Sequence, residues 1–405
     1  MKNLIKKLIK KIWWAGRLFF ANVRYGYPSR KLKIVGVTGT NGKTTTATLL
    51  YKVATALGYK SGLIGTVEYI IVDKKMPATH TTPDSVSLTK LFAEMAENGC
   101  QYVFMEVSSH AIDQNRIAGI DFIGGIFTNL THDHLDYHKD MENYFLAKKK
   151  FFQMLPETSF ALSNVDDAYG AKMLEGIKAQ KYTFGLTPSA SGTSPYGRGI
   201  ELDFSEQLET KLIGDFNKYN ALGVYAALIL LGMDTGKVKE VLKTALPPKG
   251  RFEYIKSSSG VTAIVDYAHT PDALDNVLKT IQKMRKEGTR VISVFGCGGD
   301  RDPVKRSIMG QIGANLSDIA IFTSDNPRSE DPEKIIDQMK KDLSSELLQK
   351  VKTISNRREA ILEAVKIAQS GDVILCAGKG HEDYQEIKGV KHHFDDMEEL
   401  KKAFG

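Results

Sequence analysis

Cysteine is scarce in this chain of 405 residues: three, at Cys100, Cys297 and Cys376, with no C-x-x-C pair. That scarcity excludes a disulfide framework and a cysteine-rich zinc module, and it fits a reducing compartment. Long apolar runs are lacking too. The stretch Ile12–Val23 contains Arg17 and is too short to cross a bilayer without strain. No repeat of fixed period runs through the chain. Acidic residues are missing from residues 1–24, which hold seven of the 55 Lys and Arg. The remaining 48 basic residues face 48 acidic ones, so the net charge of +7 belongs to one tail. A body so balanced lacks the basic footprint of a nucleic-acid binder. What is present, 42% hydrophobic and 25% charged residues, is the composition of a soluble globular protein. It rules out a disordered chain, a collagen and a polytopic membrane protein. The length suits two or three domains.

In the tail, Leu4, Ile5, Leu8, Ile9 and Ile12 recur at helical spacing with lysines between them, followed by Trp13, Trp14, Phe19 and Phe20. This predicts an amphipathic helix with a basic face, lying on an anionic membrane surface with its tryptophans near the headgroups. A helix packed on the chain's own body or on a partner chain is the competing reading. No small-residue cleavage site follows an apolar core, so a signal peptide fits poorly. From Leu32 the pattern changes. The spans Leu32–Val37, Tyr102–Val107 and Phe122–Phe127 read as buried strands, and Lys43–Leu57 and Asn220–Leu231 as helices. Such alternation predicts an α/β domain with a mainly parallel sheet over 32–246. Pro247-Pro248-Lys249-Gly250 breaks both periodicities and marks a linker. A second α/β alternation fills 247–405, with strands expected at Thr262–Val265, Arg290–Phe295, Ile319–Thr323 and Asp372–Cys376. The stretch Pro188–Gly199, rich in Ser, Gly and Pro, reads as a surface loop.

The sharpest local signal is Thr38-Gly39-Thr40-Asn41-Gly42-Lys43-Thr44-Thr45, directly after a strand and opening a helix. Glycines let backbone N–H groups close on phosphate oxygens, and the helix N-terminus adds positive potential. Lys43 would reach the outer phosphates and the Thr44 hydroxyl would bind Mg²⁺. Val37 stands where the full G-x-x-x-x-G-K-T form has glycine. Two further loops end strands: Glu106-Val107-Ser108-Ser109-His110, and Thr128 to Asp136 with His132, Asp133 and His134. In a parallel sheet the strand C-termini share one edge, where ligands bind. Glu106 and His134 can therefore converge near Thr44 around a metal. Four of nine histidines lie between 110 and 138, which could also indicate zinc. The phosphate loop favours a hard, nucleotide-bound cation instead. The lysines Lys148-Lys149-Lys150, by pattern alone, read as a solvated helix face.

Taken together, T-G-T-N-G-K-T-T, M-E-V-S-S-H, H-D-H-L-D-Y-H and the C-terminal motifs D-N-P-R and G-K-G-H-E resemble the Mur ligases of the MurE type over about residues 32–405. The resemblance implies a central P-loop ATPase-type domain and a C-terminal Rossmann-like domain. It also implies a cytoplasmic enzyme of peptidoglycan synthesis that forms an amide at the expense of ATP. A substrate carboxylate takes the γ-phosphoryl group to give an acyl phosphate; an amine then displaces phosphate. Mg²⁺, as two ions, and cationic side chains offset the repulsion between carboxylate and triphosphate.

On this resemblance Lys148 matches the family lysine that CO₂ converts to a carbamate, a ligand for the second Mg²⁺ beside Thr44, Glu106 and His134. ATP would be held by Gly39, Thr40, Asn41, Gly42, Lys43, Thr44 and Thr45, by Asn217 and Asn220 at the base, and by Arg251 and Asp266. The acceptor, a muropeptide precursor, would be read by Thr81, Thr82, Ser108, Gln114 and Arg116. The amino acid would be read by Arg306, Asp325, Asn326, Arg328, Gly378 and Glu382. Arg328 suits the second carboxylate of meso-diaminopimelate, because a guanidinium grips a carboxylate with two parallel bonds. The family's usual N-terminal UDP-binding domain has no counterpart before Leu32. UDP recognition could then fall to the central domain or to a partner, or the acceptor could be carried on a lipid. A monomer is expected, with no nucleic-acid partner. The alternatives are a lysine-adding or folylpolyglutamate-like ligase, and a non-catalytic, membrane-docked nucleotide-binding scaffold.

Overall fold

The computed structural model describes residues 16–186 and 208–405. The basic tail up to residue 15 and the stretch Pro188–Gly199 lie outside the described residues. The chain divides into two compact units. One comprises the residues up to Leu212 together with Phe216–Leu246; the other comprises Ile213–Asp215 and Pro247–Gly405.

Among the described residues of the first unit eight strands make one sheet: β1 (Lys33–Thr38), β2 (Ser61–Ile64), β3 (Glu68–Ile71), β4 (Lys74–Pro77), β5 (Tyr102–Glu106), β6 (Phe122–Phe127), β7 (Phe160–Asn164) and β8 (Gln180–Phe184). Their order is β4-β3-β2-β5-β1-β6-β7-β8. The six strands from β2 to β8 in that order pair parallel, and only β3 and β4 run antiparallel at one edge. Alternation within the strands feeds both faces. Ile34, Val103 and Met105 join one apolar cluster, while Val35, Val37 and Phe104 join the other. A sheet buried on both sides needs such unbroken apolar runs, which is why β1 reads as one. Helix α1 (Lys43–Ala56) covers one face through Leu49, Leu50 and Val53. On the other face lies α2 (Met141–Met154), whose Phe151 and Phe152 join the opposite cluster. Helix α3 (Asp215–Leu230) begins five residues before the expected Asn220, so Asn217 and Asn220 lie in its first turns.

β1 sits between β5 and β6, and the chain crosses over to either side of it. The crevice at the C-terminal ends of those three strands is where an open parallel sheet takes a ligand. Three loops meet there: Gly39–Gly42 after β1, the stretch from Val107 after β5, and Thr128–His134 after β6.

In the second unit β9 (Glu253–Lys256), β10 (Thr262–Asp266), β11 (Val291–Phe295), β12 (Ile319–Phe322), β13 (Val351–Thr353) and β14 (Val373–Ala377) form a sheet in the order β13-β12-β11-β14-β10-β9. All pairs are parallel except β9 with β10. A hairpin of β15 (Tyr384–Ile387) and β16 (Val390–His393) follows. Its core includes Val265, Val294, Ile321 and Ile374. Here too the loops after β10, β11, β12 and β14 share one edge.

Candidate functional site

The phosphate loop is shaped by two close approaches. A Cβ at Gly39 would lie 1.9 Å from Thr128 Oγ1, and one at Gly42, where φ is 86°, would lie 2.4 Å from Asn220 Oδ1. Only glycine permits both the packing and the left-handed turn at Gly42. The loop is tied to its neighbours: Asn41 N donates to Asn129 Oδ1 at 2.9 Å, and Thr40 N to the Asn129 carbonyl at 2.8 Å. Lys43 Nζ folds back to donate to the carbonyls of Gly39 (2.9 Å) and Thr40 (2.7 Å), within reach of the space the loop encloses. Thr45 is buried in the first turn of α1 behind it.

Glu106 closes one side of this loop. It is buried at the end of β5; its Oε2 accepts from Thr44 Oγ1 at 3.0 Å and from Thr66 Oγ1 at 3.1 Å, and its Oε1 from Thr66 N at 2.7 Å. Thr66, after β2, has no motif in the sequence to announce it.

Lys148 departs from the reading by pattern. It is buried, 1% exposed, on the apolar stripe Tyr144, Phe145, Lys148, Phe151 and Phe152 of α2. That spacing of i, i+1, i+4, i+7 and i+8 was present in the sequence; the three consecutive lysines masked it. Of the three, Lys150 is exposed, Lys149 is half-buried and Lys148 is buried. Lys148 Nζ donates to the Gly39 carbonyl at 2.8 Å and lies 4.4 Å from the centre of the Tyr144 ring. Burial, seconded by the charge of Lys43 and opposed by Asp133, holds its pKa well below the ordinary lysine value. Tyr144 hydroxyl lies 3.2 Å from Thr40 Oγ1, so this platform touches the phosphate loop from below.

His134 has φ 54° at the start of the short turn Leu135–His138. Its Nε2 lies 3.4 Å from Asp133 Oδ2, and its ring meets that of His110 edge-on at 4.9 Å. Its pKa is pushed down to about 4, first by withdrawal from bulk water, then by His110, Lys43 and Lys148 against the pull of Asp133. The side chain keeps 44% of its surface accessible. Among the described residues no three His, Cys, Asp or Glu side chains gather as a metal cage. The oxygen set of Thr44 and Glu106 suits a hard cation.

The expected acceptor residues form one hydrogen-bonded group. Thr82 Oγ1 donates to the Glu106 carbonyl (2.8 Å) and accepts from Ser108 N (3.1 Å). Arg116 Nη1 donates to the Thr82 carbonyl at 3.0 Å, and its Nε and Nη2 donate to Gln114 Oε1 at 3.0 and 2.6 Å. Thr81 Oγ1 lies 3.0 Å from Thr66 Oγ1 and so touches the partner of Glu106. Asn217 and Asn220 are buried; Asn220 Nδ2 donates to Asn217 Oδ1 at 3.2 Å while its Oδ1 faces Gly42. In this arrangement Asn220 buttresses the phosphate loop.

In the second unit Asp266 ends β10, buried, accepting from Phe252 N at 2.7 Å. Burial pushes its pKa up to about 6 against the opposing pull of Arg251. Arg251 lies over the Tyr267 ring at 4.5 Å. Arg306 is buried and its guanidinium is occupied within the protein. Nη1 and Nη2 each donate to Glu330 at 2.8 Å, Nη1 also to Gln338 at 2.8 Å, and Nη2 to the Gly298 carbonyl at 3.1 Å. Arg328, at φ 50°, donates from Nη1 to the Gly299 carbonyl at 2.7 Å, with Nε 3.5 Å from Glu386. Asp325 and Asn326 are buried beside the loop after β14, where Gly378 has φ 111° and packs on Asp325. Asn326 Nδ2 donates to Glu382 Oε2 at 2.8 Å.

Comparison with known proteins matches residues 37–228 to the Mur ligase middle domain and residues 250–380 to the Mur ligase glutamate ligase domain. The chain is 52% identical over 389 residues to the UDP-N-acetylmuramoyl-L-alanyl-D-glutamate–2,6-diaminopimelate ligase of Bacteroides fragilis, covering 95% of this chain and 80% of that one. It is 53% identical over 377 residues to the same-named ligase of Cytophaga hutchinsonii, with coverage of 92% and 77%. A solved structure of a ligase of that name superimposes with a TM-score of 0.64 at 33% identity, over 96% of this chain and 82% of that one.

Proposed function

The chain belongs to the Mur ligase family, and from that premise we propose that it joins 2,6-diaminopimelate to the D-glutamyl carboxylate of a UDP-N-acetylmuramoyl-L-alanyl-D-glutamate acceptor, converting ATP to ADP and phosphate. The observation that carries this reading is the convergence of Lys43, the Thr44–Glu106 pair and the buried amine of Lys148 on one loop, Gly39–Gly42. A triphosphate and a carboxylate repel, and their approach demands cations held in place beforehand. Lys43 reaches across the loop to the outer phosphates, and loop N–H groups with the N-terminus of α1 take the others. The acceptor carboxylate, steered by Arg116, attacks the γ-phosphorus; the γ-phosphoryl group leaves ADP and forms the acyl phosphate. The amino group of the diamino acid then adds to that carbonyl carbon, loses its proton, and phosphate departs.

Thr44, Glu106 and His134, with a carbamate on Lys148, would hold Mg²⁺. The ions, when bound, offset the charge of the triphosphate and the developing charge in transfer. The Lys148 environment supports that carbamate, because a neutral amine is the form that adds CO₂, and burial, with the charge of Lys43, favours that form here. Diaminopimelate as the amino acid is supported by the names of the relatives and by Asp325-Asn326-Pro327-Arg328. We further place residues 1–24 on an anionic membrane surface as a peripheral contact. Exposed Phe19, Phe20 and Val23 on helical residues 16–25, with seven cations and no acid in 1–24, support it.

Phosphate release with the UDP-linked acceptor tests the reading. Release should require diaminopimelate, and Lys43→Ala should abolish it. Arg328→Ala should lower kcat/KM for diaminopimelate by roughly 10–100-fold, the scale of a charge-assisted bidentate contact, while leaving the KM for ATP in place. Equal turnover with lysine by the intact protein would overturn the proposed amino-acid choice.

A further inference from the structure

Lys379 lies between Gly378 and Gly380 in the loop after β14, and its side chain has no exposed surface. A fully buried lysine is rare unless its charge is matched. Here Nζ donates to Glu382 Oε2 at 3.2 Å and to Asn326 Oδ1 at 3.4 Å, and it lies 5.6 Å from the centre of the Tyr384 ring. Asn326 completes the grip: its Nδ2 donates to the same Glu382 oxygen at 2.8 Å, and its Oδ1 also accepts from Glu386 N at 2.9 Å. Two donors therefore fasten Oε2 of Glu382. Oε1 is the oxygen left to receive something else.

The formal charges lead the same way. Asp325, Glu382 and Lys379 together carry one net negative charge in a desolvated setting. An arriving ammonium group would neutralise it. We propose that Lys379 is a positioning residue for amino-acid recognition: it fixes Glu382 by one oxygen, so that the other oxygen receives an amino group of the diamino acid. The inference rests on the reading above that this loop cluster takes the amino acid.

Glu382 is faced by Asp325 from the loop after β12, by Tyr267 from the loop after β10, by Tyr384 on β15, and by Lys379 from its own loop. Burial and Asp325 raise its pKa; Lys379 and Asn326 oppose them. Without Lys379 the carboxylate would take up a proton at higher pH and stop binding ammonium there. An opposite charge at this range is worth about 1–3 pKa units.

The test is the pH profile of KM for diaminopimelate, from pH 6 to 9, at saturating ATP and UDP-linked acceptor, in the full chain. Lys379→Met should move the acid limb of 1/KM upward by about one unit or more and raise KM near neutrality about tenfold, with a smaller effect on kcat. Lys379→Arg, which keeps the charge, should hold the acid limb at its wild-type position. Should Lys379→Met fail to fold, Lys379→Arg carries the test, and a shifted limb in it overturns the proposal. A wild-type limb in folded Lys379→Met also overturns it. Glu382→Gln separates the two levels. A raised KM in Glu382→Gln beside an unmoved limb in Lys379→Met removes only the role of Lys379. An unchanged KM in Glu382→Gln removes the amino-acid reading beneath it.

Discussion

Lys148 is the residue at which physical chemistry and sequence pattern pull furthest apart. An amine with almost no access to water is destabilised in its charged form, so the folded state gives up the proton more readily than the unfolded state does. Because its folded pKa is depressed, the unfolded chain binds the extra proton, and stability rises with pH up to the ordinary lysine value. Replacing Lys148 by Met should therefore stabilise the protein near pH 7 in CO₂-free buffer. That advantage should shrink as pH climbs toward 10. Urea unfolding at pH 7, 8.5 and 10 measures it, and a pH-independent difference would show that the amine is not held neutral. The same variant should lose amide formation by on the order of 100-fold or more, as loss of a preorganised electrostatic group does. Adding bicarbonate should stabilise the wild type and leave Lys148→Met unmoved. A residue kept for activity against stability is a common feature of catalytic sites.

Elements show why some of this was legible and some was not. The strands β1, β5 and β6 could be found from apolar runs because burial on both faces leaves no other composition. The phosphate loop could be found because its glycines answer local backbone demands. Thr66 could not: it reaches Glu106 only because β2 pairs with β5, a juxtaposition that no local pattern encodes. The early start of α3 was missed for a related reason. Asn217 and Asn220 look like capping residues, but inside the helix they pair with each other, and Asn220 presses on Gly42. That contact yields a prediction for the α3–loop junction. Gly42→Ala should destabilise by about 1–3 kcal/mol, through the left-handed backbone and the clash with Asn220 Oδ1. Adding Asn220→Ala removes the clash but not the backbone strain. The double variant should thus recover part of the stability and none of the tight turn that cradles phosphate. A double-mutant cycle read by thermal melting and by ADP binding separates the two; strict additivity in stability would mean that Asn220 does not set the loop.

At the scale of the whole molecule, the charge distribution divides the chain more sharply than composition does. With 48 basic residues set against 48 acidic ones beyond residue 24, the body has no long-range electrostatic preference for a polyanionic surface. The tail has one. Residues 2–15 contribute Lys2, Lys6, Lys7, Lys10 and Lys11 with no acid, and each cation near an anionic bilayer is worth about 1 kcal/mol. The helical residues 16–25 add Phe19, 58% exposed, and Phe20, 72% exposed, as apolar surface for the headgroup boundary. Among the described residues no helix is long and apolar enough to cross a membrane. Deleting residues 2–15 should abolish co-sedimentation with vesicles containing phosphatidylserine, while Phe20→Ser should weaken it by roughly tenfold or less, the scale of losing one partly buried aromatic contact. Because the attraction is screened, binding by the intact chain should fall steeply as salt rises toward 1 M. Ligase turnover in solution should be unaffected by the deletion, since the tail carries none of the residues that meet at Gly39–Gly42. Persistent vesicle binding after the deletion would place the attachment on the body, where the balanced charge gives no reason to expect it.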